Sequence, residues 1–185
     1  KAAPPFEAVI IGEDGAQKGP NEIGVLYFRD TTGRGIIYHN DPEKTAAAHV
    51  APCVFTLGEM GYIDDEGYVF ITDRVSDLVV SGGVNLYPAE AEQVLLQHPG
   101  VEDVAIVGVP NAYLGEELKA LVVARDIANP PSAEELNRFC RERLASFKCP
   151  RSYEFMPDIG RNTMGKVNKR ELRRRYWPTE RTIGG

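Results

Sequence analysis

The chain has 185 residues, 43% of them hydrophobic and 26% charged, a balance that supports a packed core in one ordinary domain or two small ones and argues against disorder. Its net charge of −6 argues against nucleic acid as the main partner. Three scattered cysteines (Cys53, Cys140, Cys149) and three histidines (His39, His49, His98) show no disulfide-framework or zinc-ligand spacing, and no apolar run reaches the length of a membrane span, so a reducing, cytoplasmic setting is expected.

In chain order, residues 7–12 (EAVIIG) and 23–29 (IGVLYFR) read as strands separated by the turn-rich EDGAQKGPNE. A short helix follows, capped by Asn40 or Asp41, with Pro42 in its first turn and Pro52 as its stop. Residues 53–57, 60–64 and 68–72 read as three short strands, the last two joined by the Asp65-Glu66-Gly67 turn. This stretch is mostly β and thin for a self-sufficient core. After Arg74 the pattern changes to alternating helices and strands. LVV at 78–80 leads into Ser81-Gly82-Gly83, and Pro88 opens a helix that Pro99-Gly100 stops. Strands are predicted over 103–109, 117–125 and 152–156. Between the last two, Ser132 and Glu135 form a capping-box pattern for a helix running to about Ala145. After the loop DIGRNTMGK, Asn168 caps a basic helix, KRELRRRYW, that Pro178 ends. Most of the 21 basic residues lie between Arg138 and Arg181, a local excess that suits small anionic ligands such as nucleotides or CoA.

Three clusters carry the chemistry: Thr56-Leu57-Gly58-Glu59, the run from Asp73-Arg74-Val75-Ser76-Asp77 to SGGVNLYPAEAE, and Asn162-Thr163-Met164-Gly165-Lys166. Singly, each has a bland reading: a strand-end acid, a surface ion pair, a glycine turn, a solvated lysine. The Gly-Lys pair is not a Walker phosphate loop, because the spaced upstream glycine is missing and Val167 stands where Ser or Thr would follow.

In this order, the run GYIDDEGYVFITDRVSDLVVSGGVNLYPAEAEQVLLQHPGVEDVAIVGVP and the later NTMGKVNKREL closely resemble the adenylate-forming superfamily of acyl-CoA synthetases, firefly luciferase and peptide-synthetase adenylation domains. The opening segment NEIGVLYFRDTTGRGIIYHNDPEKTAAAH is similar to the stretch that precedes these motifs, and SGGVNLYPAEAE looks most like acyl-CoA synthetases. The fold this implies is α+β: residues 74–185 as a small C-terminal lid domain, a three-stranded sheet with packed helices, preceded by residues 1–73 as a β-rich end of a large N-terminal domain.

The resemblance implies two half-reactions. A carboxylate, with a fatty acid expected, first attacks the α-phosphate of ATP. CoA then displaces AMP after the lid turns. Lys166 matches the catalytic lysine of adenylation. Glu59 stands where the family usually has Asp on the ribose hydroxyls, and Arg74 matches an arginine on the ribose or phosphate side. Ser76 matches the hinge, where Asp or Lys is commoner. Ser81, Gly82 and Gly83 match the loop lining the pantetheine tunnel. Lys169, Arg170 and Arg173 offer charge for CoA phosphates. The phosphate-binding loop, adenine-binding aromatic motif, Mg2+-binding acid and acyl pocket of the family are expected upstream. The chain opens on Lys1, not Met, and is read as a segment of a longer polypeptide, inactive by itself and partnered by the missing N-terminal domain. Two further readings stand beside this one: an adenylation domain that loads a carrier protein, and a free-standing, non-catalytic binding module with the lid fold.

Overall fold

Two antiparallel-rich sheets, one after the other, organise the computed structural model, which describes residues 1–177. The chain divides into two compact units, Lys1–Ser76 and the remainder from Asp77. The architecture is α+β. Pro178 and Arg181, expected to end the last helix and to add basic charge, lie outside the described residues. No helix among the described residues is long and apolar enough to cross a membrane.

The first unit contains β1 (Phe6–Ile11), β2 (Gly24–Asp30), α1 (Pro42–Ala48), β3 (His49–Ala51), β4 (Val54–Ile63) and β5 (Val69–Arg74). β2 lies between β1 and β4, and the far edge of β4 is shared by β3 and β5. Asp41 caps α1, its carboxylate accepting the Lys44 N–H at 2.9 Å. The helix stops at Ala48 rather than at Pro52, because His49 and Ala51 pair with β4. The two strands expected over 53–57 and 60–64 are one strand with a bulge. The register moves from Tyr27↔Thr56 to Val25↔Met60, so Leu26 alone faces Leu57, Gly58 and Glu59. Thr56 holds the break closed, donating through Oγ1 to the Leu26 carbonyl and accepting the Gly58 N–H. The core of this unit is small, built on Val9, Ile10, Leu26, Phe55 and Met60, while Ile37 (81% exposed) and Ile71 (62%) face outward.

In the second unit come β6 (Val79–Ser81), β7 (Val84–Leu86), α2 (Pro88–Leu95), β8 (Val101–Asn111), β9 (Gly115–Ala124), α3 (Ala133–Arg141), β10 (Ser152–Phe155) and α4 (Lys169–Arg173). β8 and β9 form a long antiparallel hairpin, and β10 adds parallel to β9. The β6–β7 hairpin, of which only the first strand is legible in the sequence, joins at Ser81↔Gly115 and raises the three long strands to a five-stranded sheet.

Both faces of this sheet are covered, which is why β8 reads as an unbroken apolar run. Val104, Ile106, Leu118, Ala120 and Val122 pack with α2 and α3 residues on one face. Ala105, Val107, Val109 and Leu121 pack with Ile159 and Leu172 on the other. Ser132 and Asn168 cap α3 and α4 as expected. The reciprocal half of the capping box is not made: the Glu135 carboxylate lies 3.4 Å from Nε2 of buried His98. α3 ends at Arg141, short of Ala145. α4 ends at Arg173, because the chain then turns back onto the sheet, where Tyr176 donates to Glu154 at 2.7 Å and Trp177 Nε1 to the Gly108 carbonyl at 3.0 Å.

Ile106 is wholly buried at the centre of the first layer. Ile106→Ala is expected to cost about 2–5 kcal/mol of second-unit stability. Trp177, the single tryptophan, reports on that unit in a urea titration followed by fluorescence.

Candidate functional site

The bulge in β4 sets the first part of the site. It places Glu59 opposite Arg74 of β5, and Arg74 Nε stands 3.5 Å from Glu59 Oε1. Glu59 is the more enclosed partner (26% exposed against 54%), and a pair this long and this open on the arginine side is weak. Arg74 is also held through its backbone, its N–H donating to the Asp73 carboxylate at 2.8 Å. Two residues expected on the nucleotide thus share one rung of the first sheet. Ser76 is exposed, within a 3-10 turn over Val75–Asp77, and the boundary between the units falls directly after it.

In the second unit, Ser81 pairs with Val84 across Gly82 and Gly83, a two-residue hairpin loop. Both glycines have positive φ (58° and 79°), the backbone that such a turn demands and that a side chain would strain. The Gly82 N–H donates to the Leu114 carbonyl at 2.8 Å, which fixes the loop to the β8–β9 turn.

Lys166 stands at the end of a second tight turn. The Asn162 N–H donates to the Lys166 carbonyl, and Asn162 Oδ1 accepts the N–H groups of both Met164 and Lys166 at 2.9 Å. Arg161 and Val167 bridge across the base. The Lys166 side chain is exposed and forms no ion pair with the described residues. Arg161 binds Asp103 of β8 through both arms of its guanidinium, at 2.6 Å each. Neither Asp103 nor Arg161 was singled out by the sequence. They are 58 residues apart, and no local pattern joins them.

The turn carrying Lys166 is therefore fixed near the start of β8, whereas the Ser81-Gly82-Gly83 loop is fixed at its far end, beside Asn111 and Gly115. Asn111 lies eight residue steps along the strand from Asp103, about 26 Å at the rise of an extended chain. The two motifs sit at opposite ends of one packed body.

Lys169 and Arg173, expected to offer charge to CoA phosphates, are engaged within the unit. Lys169 lies 2.7 Å from Glu92, with both side chains largely buried, and Arg173 lies 3.5 Å from Asp77. Both cations hold α4 in place. Cys140, on α3, and Cys149 are buried in the core, and burial pushes the Cys140 thiol up to about 11, so neither suits a nucleophile. Among the described residues no group of three or more His, Cys, Asp or Glu is placed to hold a metal ion.

Comparison with known proteins gives this arrangement its context. The family described as AMP-binding enzyme C-terminal domain matches residues 90–166. A fatty acid–[acyl-carrier-protein] ligase, ScoC, of Streptomyces coeruleorubidus is 41% identical over 174 residues, covering 94% of this chain and 33% of that protein. A long-chain-fatty-acid–CoA ligase of Bacillus subtilis is 38% identical over 172 residues, covering 91% of this chain and 30% of that protein. ATP-bound MatB from Rhodopseudomonas palustris superposes with a TM-score of 0.84 at 36% identity, covering 95% of this chain and 35% of that one. The chain belongs to the adenylate-forming superfamily and carries its AMP-binding C-terminal domain. It spans about a third of the length of the curated relatives it matches.

The Asp103 carboxyl is partly buried, which acts to raise its pKa. The hydrogen bonds from Arg161 and from the Val104 N–H outweigh that and hold it below the usual carboxylate range. A carboxyl lowered on folding contributes stability that is complete above its unfolded value, about 3.9, and is lost as pH falls through the lower folded value. Urea titrations on Trp177 fluorescence between pH 5 and pH 2 are expected to show an acid-labile component of second-unit stability that Asp103→Asn removes.

Proposed function

We propose that the chain is part of an AMP-forming carboxylate–CoA ligase and supplies the lysine of its adenylation step. The observation that carries this reading is the separation of Lys166 and the Ser81-Gly82-Gly83 loop at opposite ends of β8 on one packed body. A single orientation of that body cannot bring both to one reacting centre. A body that turns after Ser76 can present them in succession, one for each half-reaction.

In the first half-reaction a carboxylate oxygen bonds to the α-phosphorus of ATP as the bond to pyrophosphate breaks. The exposed Lys166 ammonium offsets the charge that gathers on the departing phosphates. Glu59 accepts hydrogen bonds from the two ribose hydroxyls, and Arg74 contacts the ribose or phosphate side. A divalent cation accompanying ATP would take its ligands from residues outside this chain. In the second half-reaction a thiol sulfur attacks the acyl carbonyl and AMP leaves. The side-chain-free Gly82-Gly83 turn admits the thin pantetheine arm close to backbone. The apolar residues exposed on the first unit, Ile37 and Ile71 among them, suit burial against the rest of a larger N-terminal domain. The free thiols of Cys53, Cys140 and Cys149 suit a reducing, cytoplasmic setting.

A fatty acid is the favoured substrate, because two of the relatives above are fatty-acid ligases by name. The same pair favours a second reading, in which the acceptor is the phosphopantetheine of a carrier protein rather than CoA, since ScoC is named for that acceptor. Thioester formation assayed with CoA and with a phosphopantetheinylated carrier separates the two.

ATP–pyrophosphate exchange tests the core of the proposal. The isolated chain is expected to show none. In the intact enzyme, Lys166→Ala is expected to abolish exchange while sparing thioester formation from supplied acyl-adenylate. Equal loss in both half-reactions would remove Lys166 from its assigned role.

A further inference from the structure

Lys166 is held by contacts that the adenylation chemistry does not itself require, and they converge on one ion pair. The Arg161 guanidinium uses Nε and Nη2 to donate to the two oxygens of Asp103. Its remaining arm, Nη1, donates to the Gly165 carbonyl at 2.7 Å, the peptide directly before Lys166. Asp103 is itself fixed, because Oδ1 also accepts the Val104 N–H at 2.8 Å along the edge of β8. The neighbouring Asn162 takes both backbone groups of Lys166. Downstream, Asn168 caps α4, and Lys169 is tied to Glu92, whose carboxylate accepts the Ile106 N–H at 2.6 Å. The segment bearing Lys166 is thus moored to the edge of β8 on both sides.

We infer that Asp103 and Arg161 are positioning residues for Lys166: a bidentate clamp that sets where the lysine turn projects from the sheet. This rests on the adenylation role proposed above for Lys166 and assigns its geometry to a named pair. The fork geometry matters. A guanidinium can hold a carboxylate with two arms and still donate a third bond to the turn, which an ammonium cannot do in the same plane. A lysine has a long, freely rotating stem, so its base must be fixed if the ammonium is to meet a phosphate. Displacement by about 1 Å can lower a rate by about 10²-fold.

The test measures each half-reaction separately in the intact enzyme, with Asp103→Asn, Asp103→Glu, Arg161→Lys and Lys166→Ala, singly and in combination. Asp103→Asn and Arg161→Lys are expected to lower kcat for adenylation by about 10- to 100-fold, leave KM for ATP and the thioester half-reaction unchanged, and add nothing in the Lys166→Ala background. Asp103→Glu keeps the charged fork and is expected to restore part of the rate. Hydrogen exchange of the 159–167 segment, followed by mass spectrometry on the same proteins, is expected to speed up in Asp103→Asn while the rest of the second unit keeps its protection. Unchanged adenylation in both clamp variants, or equal loss in both half-reactions, overturns the clamp. Unchanged adenylation in Lys166→Ala overturns instead the reading on which it rests.

Discussion

A cation that is to stabilise charge on another molecule must be kept from neutralisation by its own protein, and on the role proposed for Lys166 the second unit meets that constraint. It is rich in carboxylates close to basic residues, yet each acid near the lysine turn is already engaged. Asp103 is held by Arg161, Glu92 by Lys169 and the Ile106 amide, and Asp77 by Arg173. Lys169 and Arg173 are the better buried of these cations and anchor α4. Removing either would take the cation from a largely enclosed acid, which is costlier than losing a surface pair. With those acids taken, the exposed Lys166 side chain has no ion-pair partner among the described residues.

That arrangement depends on the sheet beneath it. β8 is an edge strand along much of its length, and an open edge exposes unpaired backbone groups. Here side chains complete the edge: Asp103 takes the Val104 N–H, Glu92 the Ile106 N–H, and Trp177 donates to the Gly108 carbonyl. The groups that close the edge are the same groups, or neighbours of the groups, that moor the lysine turn and α4. Edge protection and placement of the lysine are one set of contacts.

Much of this was legible in the sequence where the governing physics is local. The cap of α1, narrowed to Asn40 or Asp41, the caps at Ser132 and Asn168, the Gly82-Gly83 turn and the apolar run of β8 each follow from residues within a few positions of one another. What escaped was set by partners distant along the chain. The bulge at Leu57-Gly58-Glu59 exists only because β2 continues past it, and β7 only because β6 turns back on itself. α4 looked longer because Tyr176 and Trp177 continue its pattern. Their polar ends instead find Glu154 and Gly108 in the sheet. The Asp103–Arg161 pair was invisible for the same reason, and Lys169 and Arg173 were read as surface charge because their acids lie far upstream.

Glu59, where the family resemblance leads one to expect Asp, is better understood with the bulge in view. Without it, residue 59 would keep the simple alternation of a strand; with it, Glu59 stands on the rung of Arg74 at the place where the register shifts. The longer side chain spans to an arginine at 3.5 Å, in a pair more than half exposed on the arginine side. Such a pair is held by little, and on the proposed reading that is an asset. The carboxylate can turn from the guanidinium to two ribose hydroxyls at small cost, while the guanidinium swings to the ribose or phosphate side. The contrast with Arg161 and Asp103 is then physical. On the proposed reading, the ion pair that yields to a ligand is long and monodentate, and the one that holds its place is short, forked and anchored at both ends.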